Sequence, residues 1–355
     1  MRLRFERGRR DDLETLHPAY FALVMATGIV GIATHLHSLP VVPAALFWLN
    51  ALFIVVLVAA TVARILRHPH AFVADIRNHS RGVGFFTTVV AAGVFGSQLV
   101  IQMEAPTVAV FFWLVTAVLW VVTTYGILAV LTVVPDKPSL AAGLNGGWLV
   151  IVVATQSVAI ITVLMLSSGF TAGLREPLMF AALVLWLGGG ALYLWLMGLI
   201  FFRYTFLPMS PADLTPPYWI SMGAVAISTL AGTTLLGEAA LSPIVAELAP
   251  FVEGLTLLYW AIGSWWIPML LVLGVWRYLI RGVPFAYDPL YWGGVFPLGM
   301  YSVCTLRLTD IMDAPFLRPL STAFMIVAVV AWATTFVGLL DSRLRAARRE
   351  VKAGQ

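Results

Sequence analysis

Ten apolar runs, each long enough to cross a bilayer, leave this chain almost no other way to fold. A helix rises about 1.5 Å per residue, so about 20 residues span a hydrocarbon core of roughly 30 Å. The runs cover 18–37, 43–66, 83–102, 107–133, 145–167, 177–204, 217–236, 252–280, 288–308 and 316–340. Charged residues make up 11% of the 355 residues and hydrophobic ones 61%. A water-soluble domain carries roughly 25% charged residues, so a globule in water is excluded and lipid is the solvent. In lipid every backbone polar group needs an internal partner, which makes the runs helices. The expected fold is an all-α membrane protein of ten transmembrane helices, with the transmembrane domain at 18–340 and tails at 1–17 and 341–355.

The basic residues sort by side. With the start of the chain inside, 18 of the 21 Lys and Arg fall on the inner side, and Arg175, Arg307 and Arg318 fall outside. This asymmetry is the positive-inside pattern, and it accounts for the pI of about 9.4 without a nucleic-acid partner. Arg2 to Arg10 are followed by Asp11, Asp12 and Glu14 and by no small-residue cleavage site, so a retained tail is expected and not a signal peptide. The expected location is the cell inner (plasma) membrane, multi-pass, with both termini cytoplasmic. Cys304 is the single cysteine, which leaves no intrachain disulfide and no multi-cysteine metal site. No cofactor is expected.

The odd-numbered runs resemble one another. They open on Tyr20-Phe21, Phe85-Phe86, Gly147-Trp148, Tyr218-Trp219 and Tyr291-Trp292, whose second members are 65, 62, 71 and 73 residues apart, one helical hairpin each time. Seven residues on stand Gly28, Gly93, Thr155, Ala226 and Gly299; ten residues on stand Gly31, Gly96, Val158, Thr229 and Ser302. Offsets of three share a helix face, so each odd helix carries a stripe of small residues. One reading is close helix packing. The other arranges five hairpins about an axis, odd helices inside, with the stripes facing a narrow channel. At offset four stand Met25, Val90, Val152, Gly223 and the bulky Phe296, the last roughly 12 Å above the inner end of its span. An apolar ring at that depth closes a pore by dewetting, or it is ordinary packing. Pro297 follows and kinks the helix.

Phe21-Ala-Leu-Val-Met25-Ala-Thr27-Gly28-Ile29, Ala154-Thr155-Gln156-Ser157 and Trp292-Gly-Gly-Val-Phe296-Pro297-Leu298-Gly299-Met300-Tyr301 resemble the tellurite-resistance/dicarboxylate transporter family. That family includes malic acid transporters, sulphite efflux pumps and slow-type anion channels. The resemblance runs over about residues 17 to 340. It implies five hairpins with quasi-five-fold symmetry around a central pore, a homotrimer, small anions as substrates, and a ninth-span phenylalanine that plugs the pore. The aromatic-x-x-x-Phe pattern puts Phe296 on that position. One departure is that Pro297 is the only proline inside an inner helix, with glycines standing in elsewhere.

Other polar residues have two readings each. Arg307, roughly 28 Å up the ninth span, is a pore-mouth group that draws anions in, or a snorkelling arginine paired with Asp310. Glu253 opens the eighth span as a proton relay or as an acid at a helix start. Gln156 and Ser157 bond an anion or a neighbouring helix. His35 and His37, and His68, His70 and His79, form no site by spacing. Three functions follow: a small-anion channel or facilitator (C4-dicarboxylate such as malate, sulphite, chloride) gated by Phe296; a proton-coupled dicarboxylate carrier; or an intramembrane enzyme or sensor. The third lacks any nucleophile–base pair or metal-ligand cluster, and no enzymatic activity is expected.

Overall fold

A computed structural model describes residues 12–170 and 172–353; the basic residues Arg2 to Arg10 lie outside the described residues. The long helices, in chain order, are α1 (Ala22–Leu36), α2 (Val42–Arg67), α3 (Phe86–Ile101), α4 (Pro106–Val133), α5 (Val150–Ser167), α6 (Arg175–Phe206), α7 (Ile220–Gly237), α8 (Ala249–Ile280), α9 (Trp292–Ile311) and α10 (Arg318–Ala353). Among the described residues nine helical segments are long and apolar enough to cross a membrane. The expected ninth span, α9, differs by composition and not by length. Its 20 residues reach about 30 Å, but Gly293, Gly294, Ser302, Arg307 and Asp310 dilute its hydropathy. α10 continues as helix past 340 to Ala353, through most of the segment expected as a tail.

Burial divides the helices into two classes. Between 78% and 94% of the spanning window is buried in the segments containing α1, α3, α5 and α7, against 11–39% for α2, α4, α6, α8 and α10. α9 joins the first class, with Trp292, Phe296, Met300, Tyr301 and Cys304 all buried. α1 contacts α3, α3 contacts α5, α5 contacts α7, α7 contacts α9, and α9 returns to α1, so the inner helices close a ring. Each outer helix packs on the inner helix that precedes it in its hairpin and touches the following inner helix as well.

A buried or half-buried polar bond pins each outer helix to that following inner helix. Asn50 of α2 donates to Gln98 of α3 (2.7 Å), Trp120 of α4 to Thr155 of α5 (3.0 Å), and Trp186 of α6 to the Ser228 carbonyl of α7 (2.8 Å). Trp260 of α8 donates to Thr305 of α9 and Trp332 of α10 to Thr27 of α1, both at 3.0 Å. An indole buries a large apolar face and still carries one donor, so it suits a helix that faces lipid on one side and a neighbour on the other. The hydroxyl acceptors replace water that the bilayer cannot supply.

Each inner helix begins with a 3-10 turn: Pro18–Phe21, Gly82–Phe85, Gly146–Leu149, Pro216–Trp219 and Pro289–Tyr291. Proline at the first positions presets φ where no N–H is needed. His17, Asn145 and Asp288 accept the first free N–H from Ala19, Gly147 and Leu290. Near this end of the ring, buried Asp75 receives Arg64 of α2 (2.7 Å) and Arg81 ahead of α3 (2.5 Å), tying the outer layer to the inner. Burial opposes ionisation of Asp75, and the hydrogen bonds from Arg81 and Arg64 overcome it, holding the carboxyl below its usual range.

Candidate functional site

Two cavities lie along the ring, one at the end where the inner helices begin and one at the far end. The entry cavity, about 310 Å³, is lined by Ala22, Thr87, Val150, Ile220 and Gly293, one from each inner helix, and by His17, Arg81, Asn145, Arg203 and Asp213 among others. The far cavity, about 210 Å³, is lined by Ile29, Val94, Ser157, Ile227 and Met300, again one from each inner helix, with Arg307, Asp310 and Glu238 at its rim. On every inner helix the entry-side residue and its far-side counterpart are seven positions apart, two turns of one face.

Between them lies a closed layer. Met25, Val90, Val153, Gly223 and Phe296 each stand three residues beyond the entry cavity and four short of the far one. Phe296 is 1% exposed and Met25 2%. The next position holds Ala26, Ala91, Ala154, Ala224 and Pro297: four alanines, each fully buried, and the proline. No charged residue stands in either tier. Pro297 has no N–H for the Gly293 carbonyl, so a carbonyl at the entry cavity loses its helical donor.

Two expectations about register change here. The fifth span, α5, is in register one residue later than its Gly147-Trp148 opening suggests, since Val150 and Ser157 are its cavity-lining pair. The residue level with Phe296 is therefore Val153 in place of Val152. The stripes of small residues lie mainly at helix contacts. A Cβ on Gly28 would stand 2.5 Å from Val94 Cγ1 and 2.9 Å from Asn50, and one on Gly31 2.9 Å from Gln98. These glycines leave room for an amide chain running Asn50 to Gln98 to Gln102 to the Gly31 carbonyl. Gly96 faces Ile161 and Phe112, Gly299 faces Ile29 and Val30, and Gly223 would meet Pro297 at 2.7 Å. The Thr155 hydroxyl takes Trp120 and donates to Ile151; Thr229 donates to Val225; Ser302 exchanges hydroxyl–carbonyl bonds with Ser321 of α10. Val90 and Ala226 are buried. Among the residues expected along the axis, Gly93 and Arg307 line a cavity.

Asp310, a candidate partner for Arg307, instead accepts from Arg318 at 3.1 Å. Burial pushes the Glu238 carboxyl up. Gln156 donates to the Trp186 carbonyl of α6, so it serves a helix contact, while Ser157 lines the far cavity. Glu253 lines neither cavity. Sequence reasoning missed Arg203, which entered only the count of inner-side basic residues; it reaches the entry cavity.

A cavity at each end of a helix ring, with a thin apolar seal between them, is the layout of a transport protein. The SLAC1 voltage-dependent anion channel family matches residues 15–340. The chain belongs to that family. It is a multi-pass membrane protein of an anion-transporting family, in line with the resemblance carried by its first and ninth spans. An uncharacterized membrane protein of Mycobacterium tuberculosis is 38% identical over 42% of this chain and 75% of its own length. An uncharacterized transporter of Methanocaldococcus jannaschii is 24% identical over 82% of this chain and 83% of its own. A sulfite efflux pump of Trichophyton rubrum is 24% identical, covering 92% of both.

Proposed function

We propose that small anions cross along the axis of the inner ring and that Phe296 is the stopper. The observation that carries this reading is the two-turn spacing between cavity-lining residues on all five inner helices, with Phe296 on the strip that joins them. The ring has pseudo-five-fold symmetry, α9 is its fifth inner member, and ten helices cross the membrane. Residues 18–340 form the transporting unit, the entry cavity faces the cytoplasm, and the membrane is the cell membrane. Selectivity arises from hydroxyls, helix N-termini and arginines at the two mouths, because the seal itself is uncharged. Substrates are small mono- and dianions, with sulfite and C4-dicarboxylates foremost. The protein works as a homo-oligomer, a trimer.

Replacing Phe296 with alanine removes the largest side chain of the seal. Proteoliposomes holding Phe296→Ala are expected to pass sulfite, malate or chloride about tenfold faster than wild type, as for a hydrophobic gate that no longer dewets. Phe296→Trp is expected to remain closed. Equal fluxes in wild type and Phe296→Ala would remove the ring from the gate.

A further inference from the structure

The entry cavity holds a buried arginine that no carboxylate among the described residues contacts directly. Arg203 belongs to an outer helix, yet its side chain turns in beneath the ring and the residue is only 5% exposed. Nε and Nη2 donate to the Ala141 carbonyl at 3.1 and 2.8 Å, and Nη1 donates to the Tyr218 hydroxyl. A guanidinium has five N–H donors, so three bonds leave one N–H on each Nη. Among the described residues no carboxylate pairs with it. Burying an ion without a counter-ion in direct contact is expensive.

The formal charges on the rest of the cavity cancel, so the charge of Arg203 stands. Arg81 lines it too, and its partner Asp75 is shared with Arg64, so that cluster keeps one net positive charge. Asp213 is the single lining carboxylate; hydrogen bonding by Ser210, whose backbone N–H it accepts at 2.8 Å, and more weakly the charge of Arg203 hold it ionised, without direct contact between the two charges. His17 is neutral at physiological pH, because burial and then the Arg81 charge push it down to about 4. Five helices start around the cavity, and their free N–H groups lend further positive potential.

We propose that the entry cavity is an oxyanion recognition site in which the two free Nη donors of Arg203 take two oxygens of a carboxylate or sulfite. A planar fork matches paired oxygens and gives no such advantage to a spherical halide. The site selects oxyanions over chloride before they reach the seal. This rests on the axial route proposed above and gives it a substrate class.

Binding of radiolabelled malate and, separately, radiolabelled sulfite to the purified full-length protein tests the site, with chloride as competitor. Wild type is expected to bind at least one of them about tenfold more tightly than chloride, and Arg203→Lys, which keeps the charge but loses the fork, is expected to bring the two within about threefold. Asp213→Asn, at a partly exposed loop carboxylate, is expected to tighten oxyanion binding severalfold and so tests the site even if Arg203→Lys does not fold. Oxyanion preference that survives Arg203→Lys overturns the proposal, as does binding of neither anion or no response to Asp213→Asn. Phe296→Ala flux is read separately: open flux with no Arg203-dependent binding sinks this site and spares the route, whereas Arg203-dependent binding with no change in flux does the reverse.

Discussion

The inner and outer helices obey different rules. Inner helices are buried on nearly every face and built from Gly, Ala, Ser and Thr among branched apolars; outer helices expose Leu, Val and Trp to lipid. Lipid is as apolar as leucine, so burial supplies no drive for two spans to associate. What holds the layers together is therefore close approach and polar bonds. Both lie chiefly on the inner helices or point at them: glycines that admit a neighbour, with Gly190 of α6 against Tyr259 of α8 the exception, and one polar pin from each outer helix to the next inner one. The lesson is that position in the ring, more than hydrophobicity, decides what a substitution does.

Four substitutions sharpen or break that contrast. The largest effect is expected at Asp75, which ties an outer helix to the start of an inner one. Asp75→Asn leaves buried Arg64 without its charge partner and should cost about 3–5 kcal/mol, read as a lower melting temperature in detergent. Because the folded pKa is depressed, wild type should keep this contribution above the unfolded value of about 3.9 and lose it as pH falls through the folded one; the variant should show no such acid-linked loss. Next is Gly223→Val at the α7–α9 approach, where a Cβ already meets Pro297 at 2.7 Å. Overpacking of about 1–3 kcal/mol is expected, and a variant as stable as wild type would break the close-approach account. Third, Trp120→Phe removes the donor to Thr155 while keeping most of the ring area. A loss of about 0.6 kcal/mol in steric-trap or SDS unfolding is the expected size for a bond within a membrane. Smallest is Leu194→Val on α6, where the residue is 60% exposed to lipid. Stability should stay within about 0.5 kcal/mol, and a larger loss would place that face at a protein contact.

The span limits were legible in the sequence because bilayer thickness sets a length that composition reports directly. The division into two classes was legible as well, from glycine and hydroxyls in the odd runs. Three features were not. In the 3-10 turn ahead of α5 the Trp148 indole donates to the Gly143 carbonyl, so it braces the preceding loop and stands one residue short of the register that the other aromatics mark. Reading from Leu149 brings Ala154 into line with Ala26, Ala91 and Ala224, a tier that was available in the sequence once the register was right. Glycine stripes reveal that something comes close, and periodicity cannot say whether that is a neighbouring helix or an open axis; Gly28 and Gly31 turn out to admit Asn50 and Gln98. Arg203 carries the same signal as any interfacial arginine at a helix end, and only the packing of Ala141 and Tyr218 around it turns it inward.

The bond from Trp332 to Thr27 joins residues 305 positions apart. α1 precedes α9 and α10 by most of the ring, yet the flank it presents to them stays uncovered until that hairpin is in place. The circle is thus a clasp: the ring of inner helices stays open until the hairpin of α9 and α10 is in place.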